Sequence, residues 1–231
     1  MWIRSIDYFF AALGLGGQLA LFAVLIRRKL GGRLPLFTIL IVFYLLRSAI
    51  FLMERPTAVG AGPYWTLIGL DPALQLLLYV VIVRAWWPFA LRSRSLRVLA
   101  GFGLSAVAAG FSALAAWYIG PSSHFSPVNL SIKVGVFISL LWIEAGVVLL
   151  IPARGLTGQL PRLTQKVVWG FAIYSAANVV TEIGHTHFTA LREALPYLGL
   201  SYMRVAVYLL CVFLWIMAFS QELKIASKPA R

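Results

Sequence analysis

Seven long apolar stretches constrain this chain more than any other feature. They run over about 7–26, 35–54, 65–84, 97–119, 128–151, 166–184 and 198–220. Each is close to the roughly 20 apolar residues a helix needs to cross the hydrocarbon of a bilayer. One soluble core cannot bury seven such segments, and none shows the ten-residue alternation of an outer-membrane barrel strand. Turn chemistry separates them: Gly31-Gly32 before Pro35, Pro56 through Pro63, Pro88, Gly120-Pro121, Pro127, Pro152 through Pro161, and Pro196. Composition agrees, with 61% hydrophobic and only 12% charged residues, against about 25% charged in soluble domains. The expected fold is all-α: a polytopic membrane protein, a seven-transmembrane-helix bundle, with residues 1–231 as a single transmembrane domain.

The basic residues orient the bundle. Arg27, Arg28, Lys29 and Arg33 follow the first stretch; Arg84, Arg92, Arg94 and Arg97 the third; Arg154, Arg162 and Lys166 the fifth; Lys224, Lys228 and Arg231 the seventh. The opposite side holds only Arg4, Arg55 and Arg192. This bias predicts an outside N-terminus and a cytoplasmic C-terminus. It also assigns the net charge of +13 to anionic lipid headgroups on the cytoplasmic side, and not to nucleic acid. The first stretch carries Arg4 and Asp7, lacks a small-x-small cleavage site and ends in Arg27-Arg28-Lys29, so it reads as a retained helix. Short loops leave no room for a soluble catalytic or sensory domain. The expected location is a bacterial-type inner (plasma) membrane, multi-pass, with a membrane-protein partner left open. Cys211, the only cysteine, excludes an internal disulfide or a multi-cysteine metal site and reads as apolar packing.

Charge interrupts the apolar stretches at Arg47, Asp71, Lys133, Glu144, Glu182 and Arg204. Charge at membrane depth is costly and marks a functional site by default. With the predicted orientation, all but Glu144 fall in the outer half, from five different helices; Glu144 lies deeper. Helical spacing adds neighbours. Asn178, Glu182 and His185 share a stripe, Asp71 and Gln75 a face, Arg204, Tyr208 and Cys211 another, and Tyr44, Arg47 and Glu54 lie close together. Lys133 and Glu144, eleven apart, project to nearly the same side. Two readings compete: an ion-pair network that joins helices, or an outward-open polar pocket for a small or lipophilic ligand, an anionic one included. The ligand-binding set of the second reading is Arg47, Asp71, Gln75, Lys133, Asn178, Glu182, Arg204 and Tyr208.

His124, His185 and His187 all fall on the outer side. His185 and His187 beside Glu182 are weak zinc or copper candidates, because residues two apart on a helix point away from each other. A structural or surface role is the stronger reading, and no metal or other cofactor is expected. The seventh stretch has no lysine to anchor retinal, and the chain lacks a Gly-rich phosphate loop, HExxH and GxSxG. Gly14, Gly16 and Gly17 read as sites of close helix packing. Trp65, Trp86, Trp87, Trp117, Tyr118 and Trp169 read as interfacial anchors.

Three segments carry a family likeness: LIRRKLGGRLPLF at 25–37, YWTLIGLDPALQ at 64–75 with Asp71, and ARGLTGQLPRL at 153–163. Together with size and topology, they resemble the small seven-helix membrane terpene cyclases of meroterpenoid pathways. The resemblance implies membrane-embedded acids that protonate an epoxide or alkene of a polyprenyl substrate. The chain departs from that pattern: Arg47, or Glu54 further on, stands for the acid of the second helix, and Arg204 replaces an acid in the seventh. Asp71 and Glu182 are then the remaining catalytic candidates.

The leading expectation is a ligand-binding membrane protein, a sensor or an accessory subunit. An isoprenoid- or lipid-directed enzyme comes second, and a small transporter third, since neither internal repeats nor clearly broken helices are apparent beyond the Pro72 site near the start of the third stretch.

Overall fold

The computed structural model describes residues 2–53, 62–90, 94–119, 127–150, 161–191 and 194–226. Side chains are described over 6–50, 69–84, 107–119, 129–147, 161–188 and 194–221. Glu54, His124, most of 153–163 and several loop basic residues (Arg55, Arg92, Arg154, Arg192, Lys228, Arg231) lie outside the described residues, as do the side chains of Trp65, Trp86 and Trp87.

Seven α-helices make up these residues: α1 (Trp2–Arg27), α2 (Pro35–Met53), α3 (Gly62–Ala90), α4 (Arg94–Ile119), α5 (Pro127–Leu150), α6 (Arg162–Leu191) and α7 (Ala194–Ala226). Each falls on one of the predicted stretches, α2 and α5 as far as the described residues run. Among the described residues, four segments are long and apolar enough to cross a membrane: Ile6–Arg27, Asn129–Val147, Arg162–Phe188 and Ala194–Gln221. Proline punctuation places several starts. Pro35 and Pro127 are first residues of helices, where the missing N–H has no intrahelical partner to lose. For the same reason Pro196, expected as a break, lies in the first turn of α7. Pro88, also expected as a break, lies in the last turn of α3.

Polarity is inverted relative to a soluble protein. Phe9, Leu46, Val107, Phe111, Leu114 and Phe213 are exposed, while Gln18, Ser112, Ser139, Ser175 and Thr181 are buried. Helices that are apolar on their outer faces need an apolar solvent, and polar groups turn inward to find partners.

The helices gather into two compact units, with α3 and α7 contributing to both. The first comprises residues 1–74 and 208–231. A tight turn joins α1 to α2: Lys29 adopts a left-handed backbone (φ 52°), followed by a 3-10 turn at Leu30–Gly32. α7 runs parallel to α1, since Gln18 bonds Tyr208 and, further along both helices, Arg28 Nη2 donates to Ser220 O (3.3 Å). Phe37 packs edge-on against Trp215 (5.1 Å) and Phe219 (5.8 Å), with Leu21, Leu25, Leu40, Ile41, Cys211 and Val212 buried in the same unit. Of the three α1 glycines expected to permit close packing, Gly17 does so, since a Cβ there would sit 3.3 Å from Val212; Gly14 and Gly16 have nothing within 4 Å.

The second unit comprises residues 75–207. α5 and α6 are antiparallel, with fully buried Trp142 stacked on Phe171 (4.6 Å, 19°) and, a turn earlier on α5, Ser139 bonded to Asn178 further along α6. Tyr79 of α3 meets Trp142 edge-on at 5.6 Å. α4 and α5 are antiparallel too, linked at Ser112–Glu144 and at Trp117–Lys133. α6 and α7 form a third antiparallel pair, and a Cβ added at Gly184 would collide with the Leu200 side chain.

Candidate functional site

Each unit builds its own polar cluster. In the first, Ser48 Oγ donates to Gln18 Oε1 (3.0 Å) and Gln18 Nε2 donates to the Tyr208 hydroxyl (2.7 Å). Gln18 is only 4% exposed, and both ends of its amide are used, as an amide in a membrane helix requires. Beside it, Arg47 Nη1 donates to Asp71 Oδ2 at 2.6 Å and the Tyr44 hydroxyl donates to Asp71 Oδ1 at 3.0 Å. Both carboxylate oxygens of Asp71 therefore accept. The Tyr44 and Tyr208 rings meet edge-on at 6.2 Å. The Arg47 side chain is 47% exposed against 18% for Asp71.

In the second unit, α6 and α7 carry a ladder of polar contacts. Arg204 Nη1 donates to Glu182 Oε1 (2.7 Å) and to Asn178 Oδ1 (3.1 Å), and Asn178 Nδ2 donates on to Ser139 Oγ (3.0 Å). The Arg204 contact fixes which way the Asn178 amide points, because a guanidinium only donates and so must face Oδ1. One turn along, His185 Nε2 lies 3.0 Å from Ser201 Oγ and 3.2 Å from Tyr197 O, and its ring stacks on Tyr197 at 3.9 Å. Ser201 Oγ itself lies 3.1 Å from Tyr197 O. Which of the two groups, the Tyr197 carbonyl or the His185 imidazole, takes the Ser201 proton follows from the imidazole tautomer.

α4 supplies partners for the other two α5 charges. Lys133 Nζ sits 3.8 Å over the Trp117 ring, a cation–π contact. Ser112 Oγ donates to Glu144 Oε1 at 2.9 Å, while Glu144 Oε2 and the indole Nε1 of Trp142 are buried without a hydrogen-bond partner. Lys133 and Glu144 both meet α4, as their eleven-residue spacing implies.

The predicted ligand set therefore divides. Arg47, Asp71 and Tyr208 belong to the first unit; Gln75, Lys133, Asn178, Glu182 and Arg204 belong to the second. Gln75 is half-buried. His185 is engaged through Nε2, His187 is exposed beside Phe188 (5.2 Å), and among the described residues no three His, Cys, Asp or Glu side chains gather as a metal site would. Sequence reasoning passed over Gln18, Ser48, Ser112 and Ser139. A signal existed for Gln18, the one strongly polar residue between Asp7 and Arg27.

Compared with protein-family models, curated proteins and solved structures, the chain matches none.

Proposed function

We propose that this is a seven-span integral protein of a bacterial-type inner membrane, N-terminus outside, that binds a small or lipophilic ligand as a sensor or accessory subunit. The observation that carries the reading is Arg204. Its guanidinium is held by Glu182 and Asn178 from α6, yet its side chain stays 32% exposed. A charge kept only to join helices has no need of that access. Antiparallel neighbours and the parallel run of α1 with α7 support seven successive crossings, because first and seventh spans must point the same way. Arg28 on Ser220 supports a common basic face for both C-terminal ends.

Thermal stability of the detergent-purified protein, screened against small lipophilic compounds, tests the binding reading. A compound that stabilises the wild type and fails on Arg204→Ala supports it. Equal stabilisation of wild type and Arg204→Ala rules it out. Reporter fusions at the two termini test the topology; a cytoplasmic N-terminus defeats it.

One observation favours a second reading, acid chemistry on an isoprenoid or lipid. Asp71 has both oxygens accepting, and Glu182 has one on a guanidinium. Glu144 has no guanidinium contact and one buried, unpartnered oxygen, where a carboxyl proton can be held and passed on. Polyprenyl turnover that survives in Asp71→Asn and Glu182→Gln and stops in Glu144→Gln is its expected signature; turnover that survives in Glu144→Gln rules it out.

A further inference from the structure

We infer that the ligand of the Arg204 site carries a two-oxygen anionic group, a carboxylate or a phosphate, gripped by the Nε and Nη2 edge of the guanidinium. The inference rests on the ligand-binding reading above and names what is bound.

A guanidinium has five N–H donors: two on Nη1, two on Nη2, one on Nε. In Arg204 the two of Nη1 serve Glu182 and Asn178. Among the described residues the other three have no acceptor. Nε–H and one N–H of Nη2 lie parallel along one side of the plane, the edge that matches the oxygen spacing of carboxylate and phosphate. Nη1 lies off that edge, so the protein clamps the group from one end and leaves the fork open. Asn178 is itself held by Ser139, so one of the two groups that orient the fork is in place before a ligand arrives.

Glu182 does not forbid an anion there. It sits beyond Nη1, on the far side of the positive group. Coulomb energy falls with distance, so an anion on the open edge feels the adjacent guanidinium about twice as strongly as the carboxylate behind it. Glu182 weakens the attraction and sets its limit. Lysine at 204 keeps the charge and loses the fork, whereas glutamine at 182 keeps the acceptor for Nη1 and removes the opposing charge.

The test uses the full chain in an uncharged maltoside detergent. The probes are inorganic phosphate and octanoate, with sodium chloride at matched ionic strength and octanol as controls. A parallel arm uses phosphatidylcholine nanodiscs with and without phosphatidic acid. At least one anionic probe is expected to raise the melting temperature where the controls do not. R204K should weaken that binding about tenfold, and E182Q should tighten it about threefold, while R84K, a charge-keeping change on α3 outside the Arg204 contacts, leaves it unchanged. An effect confined to phosphatidic acid assigns a lipid headgroup, and one produced by phosphate or octanoate assigns a free anion; both support the inference. If R204K does not fold, E182Q decides, and binding unchanged or weakened there overturns the proposal. Absence of any anionic effect also overturns it. Octanol that stabilises wild type but not R204K overturns the anion and leaves Arg204-dependent binding standing.

Discussion

Gly146 on α5 faces Ala172 on α6 so closely that a Cβ on the glycine would lie 2.5 Å from the alanine Cβ. Without a hydrophobic drive between helices in lipid, such small-residue contacts let backbones approach and gain dispersion energy. Gly146→Ala should therefore destabilise the protein by about 1–3 kcal/mol, the usual cost of overpacking. Adding Ala172→Gly should recover part of the loss. Unfolding in graded detergent mixtures measures both, and a double variant no better than the single one contradicts the steric account.

Lys29 adopts φ 52° in the turn between α1 and α2. A left-handed backbone costs an L-residue with a Cβ roughly 1–2 kcal/mol, which glycine escapes. Lys29→Gly is expected to stabilise by about 1 kcal/mol, part of the gain being offset by the freer unfolded chain. Lys29→Ala, which keeps the Cβ, should gain nothing. Equal behaviour of the two variants would refute a backbone origin.

Arg47 and Asp71 should show coupling in a double-mutant cycle of Arg47→Ala and Asp71→Asn. Contacting charged pairs couple by about 0.5–3 kcal/mol, and removing only the arginine leaves Asp71 leaning on Tyr44. The measurement is the stability of all four proteins under one condition. Additive losses would mean that the 2.6 Å contact contributes nothing.

Gln18 relays between Ser48 and Tyr208. Gln18→Leu should cost about 1 kcal/mol, within the range of hydrogen bonds between membrane helices. Once Gln18 is leucine, Ser48→Ala should cost nothing further, because its acceptor is already gone. A full additional loss would place Ser48's contribution elsewhere.

The helices were legible because each is a long apolar run bounded by proline or glycine, a pattern that survives any detail of packing. The pairing of Arg47 with Asp71 was legible only as set membership. A charge in an apolar run needs a partner, but sequence does not say which of three bases meets which acid. Lys133 illustrates the gap: its partner is the face of Trp117, read from sequence as an interfacial anchor. Ser112, Ser139 and Ser48 escaped notice because a serine in an apolar helix can satisfy itself on the preceding turn. Only the approach of a neighbouring helix shows that Ser139 instead receives Asn178 and that Ser112 donates to Glu144.

Cys211, fully buried in the first unit, gives the protein a reporter that needs no engineering. As the only sulfhydryl in the chain, lying within the apolar segment Ala194–Gln221, it is open to a membrane-permeant alkylating reagent only when α7 parts from its neighbours. The rate of that modification, followed by mass in intact bilayers, measures how often the α1–α7 packing opens without denaturant or an added label.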